Sequence, residues 1–232
     1  MHYFPLALPF LFIIFSLLLF LLILIEVGVL GYAYQKIGIP RRYAYALLLL
    51  CLFGSYVNIP VYQLPPEVIH SGGPVFFFGV PYQVPMLSRF PGTVVAINVG
   101  GALIPALLSI YLVLKNKLLL KSIVGVTALT VIVHLVAYPV QGIGIAVPFL
   151  IPPAAATAVA LLLCRERAPA LSFICGTLGT LVGADLLNLG KLQGLGAPVA
   201  SIGGAGTFDG IFSTGIIAVV LAALMARKSR TV

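Results

Sequence analysis

Long apolar runs separated by short polar breaks are the dominant pattern of this chain. Seven runs stand out, at roughly 5–33, 42–59, 93–114, 121–140, 146–164, 169–189 and 209–226. A helix that crosses the hydrocarbon core of a bilayer needs about 20 apolar residues. The pattern therefore predicts an all-α polytopic membrane protein with about seven transmembrane helices, built as one membrane domain over residues 1–232. The first run has no basic segment before it and is too long for a cleaved signal peptide, so it reads as a retained span. Two breaks are longer than the rest, 60–92 and 190–208. No internal repeat and no second domain is visible.

Composition agrees with this picture: 61% of residues are hydrophobic and 8% charged. The formal net charge of +8 could point to nucleic acid, but its carriers lie thinly between apolar blocks. Alternate connections carry almost all of them. Lys36, Arg41 and Arg42, then Lys115, Lys117 and Lys121, then Arg165 and Arg167, then Arg227, Lys228 and Arg230 fall on one side; Arg89 and Lys191 fall on the other. The positive-inside rule then places the amino terminus outside and the carboxyl terminus inside, with the bilayer rather than nucleic acid as the chain's partner. The plasma membrane is the expected location, since no sequence signal directs the chain elsewhere.

By that orientation the proline-rich connection 60–92 is external. Its "PVFFFGVPYQV" stretch has strand-like content, which leaves two readings open: a small hairpin at the outer membrane surface, or an amphiphilic lid that rests on the headgroups. The three cysteines, Cys51, Cys164 and Cys175, lie in or beside apolar runs without metal-ligand spacing, and read as packing residues. No metal or cofactor is expected.

Only five carboxylates occur: Glu26, Glu67, Glu166, Asp185 and Asp209. A helix rises about 1.5 Å per residue, which places Asp185 roughly 26 Å beyond Ala168, in the outer third of the bilayer. Asp209 opens the last span from the same side, and His134, Asn98 and Asn188 fall in the same layer, whereas Glu26 belongs at the inner end of the first span. Ionisable groups at such depth are costly and mark functional sites by default. Ordinary roles are open to each. Asp209 fits a helix amino-terminal cap, Asp185 a salt bridge to Lys191 or a hydrogen bond to the following loop, and His134 a buried satisfied side chain. Gly176, Gly179 and Gly183 form a small-residue seam suited to close helix packing or oligomer contact. On an ideal helix Asp185 lies about 200° round from Gly183, so it reaches Asp209 only if the seam faces a helix other than the last. Prolines 139, 148, 152 and 153, with Gly142 and Gly144, work against an unbroken helix there.

"TVVAINVGGALIPALLS", "VPFLIPPAAATA", "GTLGTLVGADLLNLGKL" and "ASIGGAGTFDGIF" resemble domain-of-unknown-function family 1614, a family of archaeal and bacterial integral membrane proteins. The likeness runs from about Gly54 onward and implies a polytopic membrane protein without an assigned activity. A fainter resemblance links Asp185 and Gly206-Thr207-Phe208-Asp209 to the GxGD intramembrane aspartyl proteases, which include presenilin, signal peptide peptidase and preflagellin peptidase. The second motif has the looser G-x-hydrophobic-D form, Asp185 follows "VGA" rather than a tyrosine, and no P-A-L triplet is present.

Two adjacent carboxyl groups share a proton, so one can act as base on water while the other polarises a peptide carbonyl. Three readings follow. The first is an intramembrane aspartyl protease with Asp185 and Asp209 as its catalytic pair, cleaving a transmembrane or signal-like peptide that the lid meets by strand addition. The second is a proton- or cation-coupled transporter or channel using Asp185, Asp209 and His134. The third is a structural membrane subunit whose acids cap and pair. Asn98, Asn188, Gly206 and Thr207 complete the candidate site, with 165–227 as the helix pair that bears the acids.

Overall fold

The computed structural model describes residues 16, 27–66, 74–77, 80–83, 92–140, 144–193, 195–204 and 210–227. Helices dominate. In chain order they are α1 (residues 27–36), α2 (Arg41–Gly54), α3 (Val99–Asn116), α4 (Leu119–Val136), α5 (Ile151–Leu163), α6 (Arg165–Lys191) and α7 (Gly210–Arg227). Among the described residues, α3, α4 and α6 are long and apolar enough to cross a membrane, while α2, α5 and α7 contain shorter apolar helices.

Local signals explain several boundaries. Prolines occupy the opening turns of the regular helices at Pro105, Pro152 and Pro169, where the missing N–H has no intrahelical acceptor to lose. The α5 prolines thus begin a helix instead of breaking one. Lys117 ends α3 in the left-handed region, at φ 53°.

The centre of the molecule is α6. Leu171, Phe173, Ile174 and Cys175 are buried in a common core with Leu129 and Val133 of α4, Ala156 and Ala160 of α5, and Ala218, Val219 and Ala222 of α7. Small residues on α5 and α7 let these helices approach α6 closely. The outer faces are apolar as well: Leu114 is 71% exposed, Leu120 79%, Leu135 77% and Leu162 86%. Helices that are apolar both inward and outward fit a hydrocarbon surround.

Within α6, the stretches Cys175–Gly179 and Leu181–Asp185 have π geometry, and Leu186–Lys191 tightens to a 3₁₀ helix. Each π turn adds a residue to the helical cycle, so the ideal angle between the glycines and Asp185 does not carry through. The seam divides accordingly. A Cβ on Gly176 would meet Thr214 and Gly215 of α7, whereas Gly179 faces Leu129 and Gly183 faces Thr130 and Val133, all of α4.

Strands occupy the breaks between helices. β1 (Asn58–Gln63) pairs antiparallel with β4 (Val94–Asn98), and β4 pairs in parallel with β7 (Val199–Ile202). β2 (Pro74–Phe77) and β3 (Val80–Gln83) form the hairpin that is one of the two readings of the 60–92 connection. β5 (Tyr138–Val140) and β6 (Gly144–Ala146) form another. The expected span 93–114 is therefore part strand: Val94–Asn98 precedes the helix, because an apolar run such as "VVAIN" satisfies a buried strand as well as a helix. The spans expected to end at 59 and 140 likewise give way to β1 and β5.

Three basic connections converge at one end of the bundle. Lys115 Nζ donates to Gly38 O at 2.8 Å, and Arg167 Nη1 donates to Asn116 O at 2.6 Å.

Candidate functional site

Asp185 sits where α6 passes from π to 3₁₀ geometry, a point at which carbonyls lose their usual partners. Asn188 compensates: its Nδ2 donates to Gly183 O and Ala184 O, both at 2.9 Å. Its buried Oδ1 has no hydrogen-bond partner among the described residues. Asp185 itself is half-buried, and its Oδ2 accepts the Gly203 N–H at 2.8 Å. This is the loop hydrogen bond open to it on sequence grounds, supplied by the turn after β7.

That turn is held from behind by the first turn of α3. Gly203 has φ +89°, and its carbonyl lies against Gly101, where a Cβ would come within 2.0 Å of the oxygen. Gly101 in turn donates its N–H to Asn98 Oδ1 at 2.7 Å. Asn98 is fully buried and caps α3; its Nδ2 donates to Ser55 O at 2.7 Å and to Asn58 Oδ1 at 3.1 Å. Ser201 Oγ completes the network, 2.6 Å from Asn58 Oδ1 and 2.8 Å from Gly204 O, with one proton to give to either. Asn98 thus ties α2, β1 and α3 together, and Asp185 is coupled to it through the Gly101–Gly203 contact.

Two cavities meet at Asp185 and Ile145. The smaller, about 180 Å³, also has Pro148, Pro152, Thr180, Ala184 and the α7 residues Ile211 and Thr214 in its wall. At about 30 Å³ per molecule this is room for roughly six waters. The buried Oγ1 of Thr180 has no hydrogen-bond partner among the described residues, which makes that wall more polar than its aliphatic lining implies. The second cavity, about 220 Å³, runs between Gly144 of β6 and the Val199–Ile202 strand, with Asp185 in its wall. β7 is the last strand of its sheet, so no further described strand pairs along its other edge.

His134 lies in the α4 turn that packs on Gly183, two residues before Asp185; its buried Nδ1 has no hydrogen-bond partner among the described residues. Gly206, Thr207 and Asp209 lie outside the described residues, as do Glu26 and Glu67. The first described turn of α7 nevertheless begins at Gly210, and Ile211 shares the smaller cavity with Asp185. Sequence reasoning missed Gly203, Asn58, Ser201 and Thr180. The glycine pair at 203–204 was the available signal for the first; the polar side chains of the strands carried none that was local. Among the described residues no three His, Cys, Asp or Glu side chains come together as a metal site.

Helices that are apolar on every face, wrapped around a small buried polar network, define a helical membrane protein. The chain belongs to the family described as "Protein of unknown function (DUF1614)", whose model matches residues 52–221, in agreement with the motifs that pointed to it. No curated protein and no solved structure gives a significant match. The likeness to GxGD proteases finds no support in these comparisons.

Proposed function

We propose that the protein is an intramembrane aspartyl protease of the plasma membrane, with seven spans, its amino terminus outside and its carboxyl terminus inside, and with Asp185 and Asp209 as the catalytic acids. The observation that carries this reading is the cavity shared by Asp185 and the first turn of α7, the helix that Asp209 precedes by one residue. Its volume admits the water that peptide hydrolysis consumes. One carboxylate takes a proton from that water as it attacks, and the other, protonated, donates a hydrogen bond to the scissile carbonyl. The second cavity suits the substrate: an extended peptide can add along the outer edge of β7, with main-chain hydrogen bonds bringing a carbonyl towards Asp185.

Reconstituting the full chain in liposomes with a transmembrane-helix reporter tests the proposal. Asp185→Asn and Asp209→Asn are each expected to abolish cleavage while the variants keep their fold. Wild-type protein that cleaves no member of a varied reporter panel, or a variant that cleaves normally, counts against it.

A proton- or cation-coupled transporter is the second reading, favoured by the unpartnered buried atoms His134 Nδ1, Thr180 Oγ1 and Asn188 Oδ1. It predicts flux across the same liposomes that is lost in His134→Leu, with the reporter left intact.

A further inference from the structure

A cleft lies at the far end of α6 from Asp185. It encloses about 660 Å³ between the α1–α2 turn, the end of α3, the start of α6 and the last turns of α7. Lys36, Arg165 and Arg167 line it, against the single acid Glu166. A cleft of this kind concentrates positive potential between low-dielectric walls and draws in anions.

The cations differ in how they are occupied. Arg167 spends one nitrogen on Asn116 O at 2.6 Å, which fixes its fork in the cleft wall and leaves its other N–H groups for a further acceptor. Lys36 lies over the Tyr32 ring, 5.2 Å from its centre, a contact that leaves its N–H groups unused. Lys115, just outside, holds the Gly38 carbonyl, so the turn that forms the floor is fixed in place. The remaining wall is apolar: Ile37, Ala170, Ala223 and Ala226. A lining that combines cationic side chains with aliphatic surface matches a phosphate joined to a hydrocarbon body better than it matches a free carboxylate.

We infer that this cleft binds a phosphate-bearing anion, with Lys36, Arg165 and Arg167 as its ligands and an anionic phospholipid headgroup as the natural source. The inference is independent of Asp185 and of the proposed proteolysis. Because the site joins three connections, its occupant ties α1, α3, α6 and α7 together at that end.

The full chain, purified in neutral detergent and titrated with phosphatidylglycerol or phosphatidylcholine, tests this by native mass spectrometry. Phosphatidylglycerol is expected to be retained in preference, and K36Q/R165Q to weaken that retention by roughly tenfold or more. Arg167 is left intact because its bond to Asn116 is structural. K117Q/K121Q removes the same charge outside the cleft and is expected to bind as wild type. Competition by millimolar inorganic phosphate, lost in K36Q/R165Q, would assign the same chemistry to a soluble phosphate. Equal retention of the two lipids, or equal losses in the two double variants, would overturn the site.

Discussion

Asp185 Oδ2 and the Gly203 N–H meet at 2.8 Å, joining the last turns of α6 to the turn that leads towards α7. A backbone donor satisfies a carboxylate without neutralising it, and it fixes Asp185 in the shared wall of the two cavities. The bond is therefore compatible with a chemical role and also gives Asp185 a structural one.

Substitutions at Asp185 separate the two roles. Asn retains a side-chain oxygen for Gly203, so Asp185→Asn is expected to lose less than about 1 kcal/mol of stability. Asp185→Ala leaves the Gly203 N–H without this acceptor and is expected to lose about 1–3 kcal/mol. Thermal unfolding in detergent, followed by reaction of buried Cys51 and Cys175 with a thiol-reactive dye, measures both. Equal destabilisation by Asn and Ala would show that the charge itself holds the turn.

Gly203 and Gly101 are expected to be the least replaceable residues behind the site. An alanine at 203 must adopt φ +89° and would bring its Cβ within 2.5 Å of Ala102 N. An alanine at 101 would strike the Gly203 carbonyl. Each substitution is expected to cost about 1–3 kcal/mol, the range for a strained backbone or an overpacked core. Cleavage should fall in step, because the Asp185 donor moves with the turn. A stable G203A protein with full activity would dissociate the turn from the site.

The glycine seam yields a graded comparison. At Gly176 the nearest atoms to an added Cβ are 3.3–3.4 Å away, whereas at Gly183 the Thr130 carbonyl is at 2.6 Å. Gly176→Ala should change stability by less than about 1 kcal/mol, and Gly183→Ala should cost about 1–3 kcal/mol by forcing α4 and α6 apart. The same dye-based unfolding assay ranks them. Reversal of the order would mean that the seam packs on α7 throughout.

Much of the helical framework was legible in advance. The run 169–189 lies within α6, and 209–226 nearly coincides with α7, since a long apolar stretch in a chain of this composition has few alternatives to helix. The strand content of β2 and β3 was legible in "PVFFFGVPYQV". The central sheet was not. Val94 pairs with Val199, a partner more than a hundred residues away, and neither strand carries a turn signal that names the other. The facing of the seam was also hidden, because the π turns at Cys175–Gly179 and Leu181–Asp185 alter the phase on which a regular-helix estimate depends. For the site, Asp185 could be singled out by its rarity and depth, but its partner could not: a backbone N–H leaves no mark on residue type.

Thr180 tests whether the cavity beside Asp185 supplies water. Its buried Oγ1 has no hydrogen-bond partner among the described residues, so in a dry cavity Thr180→Val removes an unpaired polar group and raises stability by about 1 kcal/mol. In a hydrated cavity the hydroxyl bonds to water, and valine forfeits that bond with no gain. The proteolytic reading requires the second outcome: unchanged or slightly lower stability, with reporter cleavage slowed about tenfold, equivalent to about 1.4 kcal/mol in the barrier. Thr214→Val, in the same wall on α7, should behave alike if the water lies between the two helices. Stabilised variants that cleave at the wild-type rate would place the hydrolytic water elsewhere and remove the cavity from the mechanism.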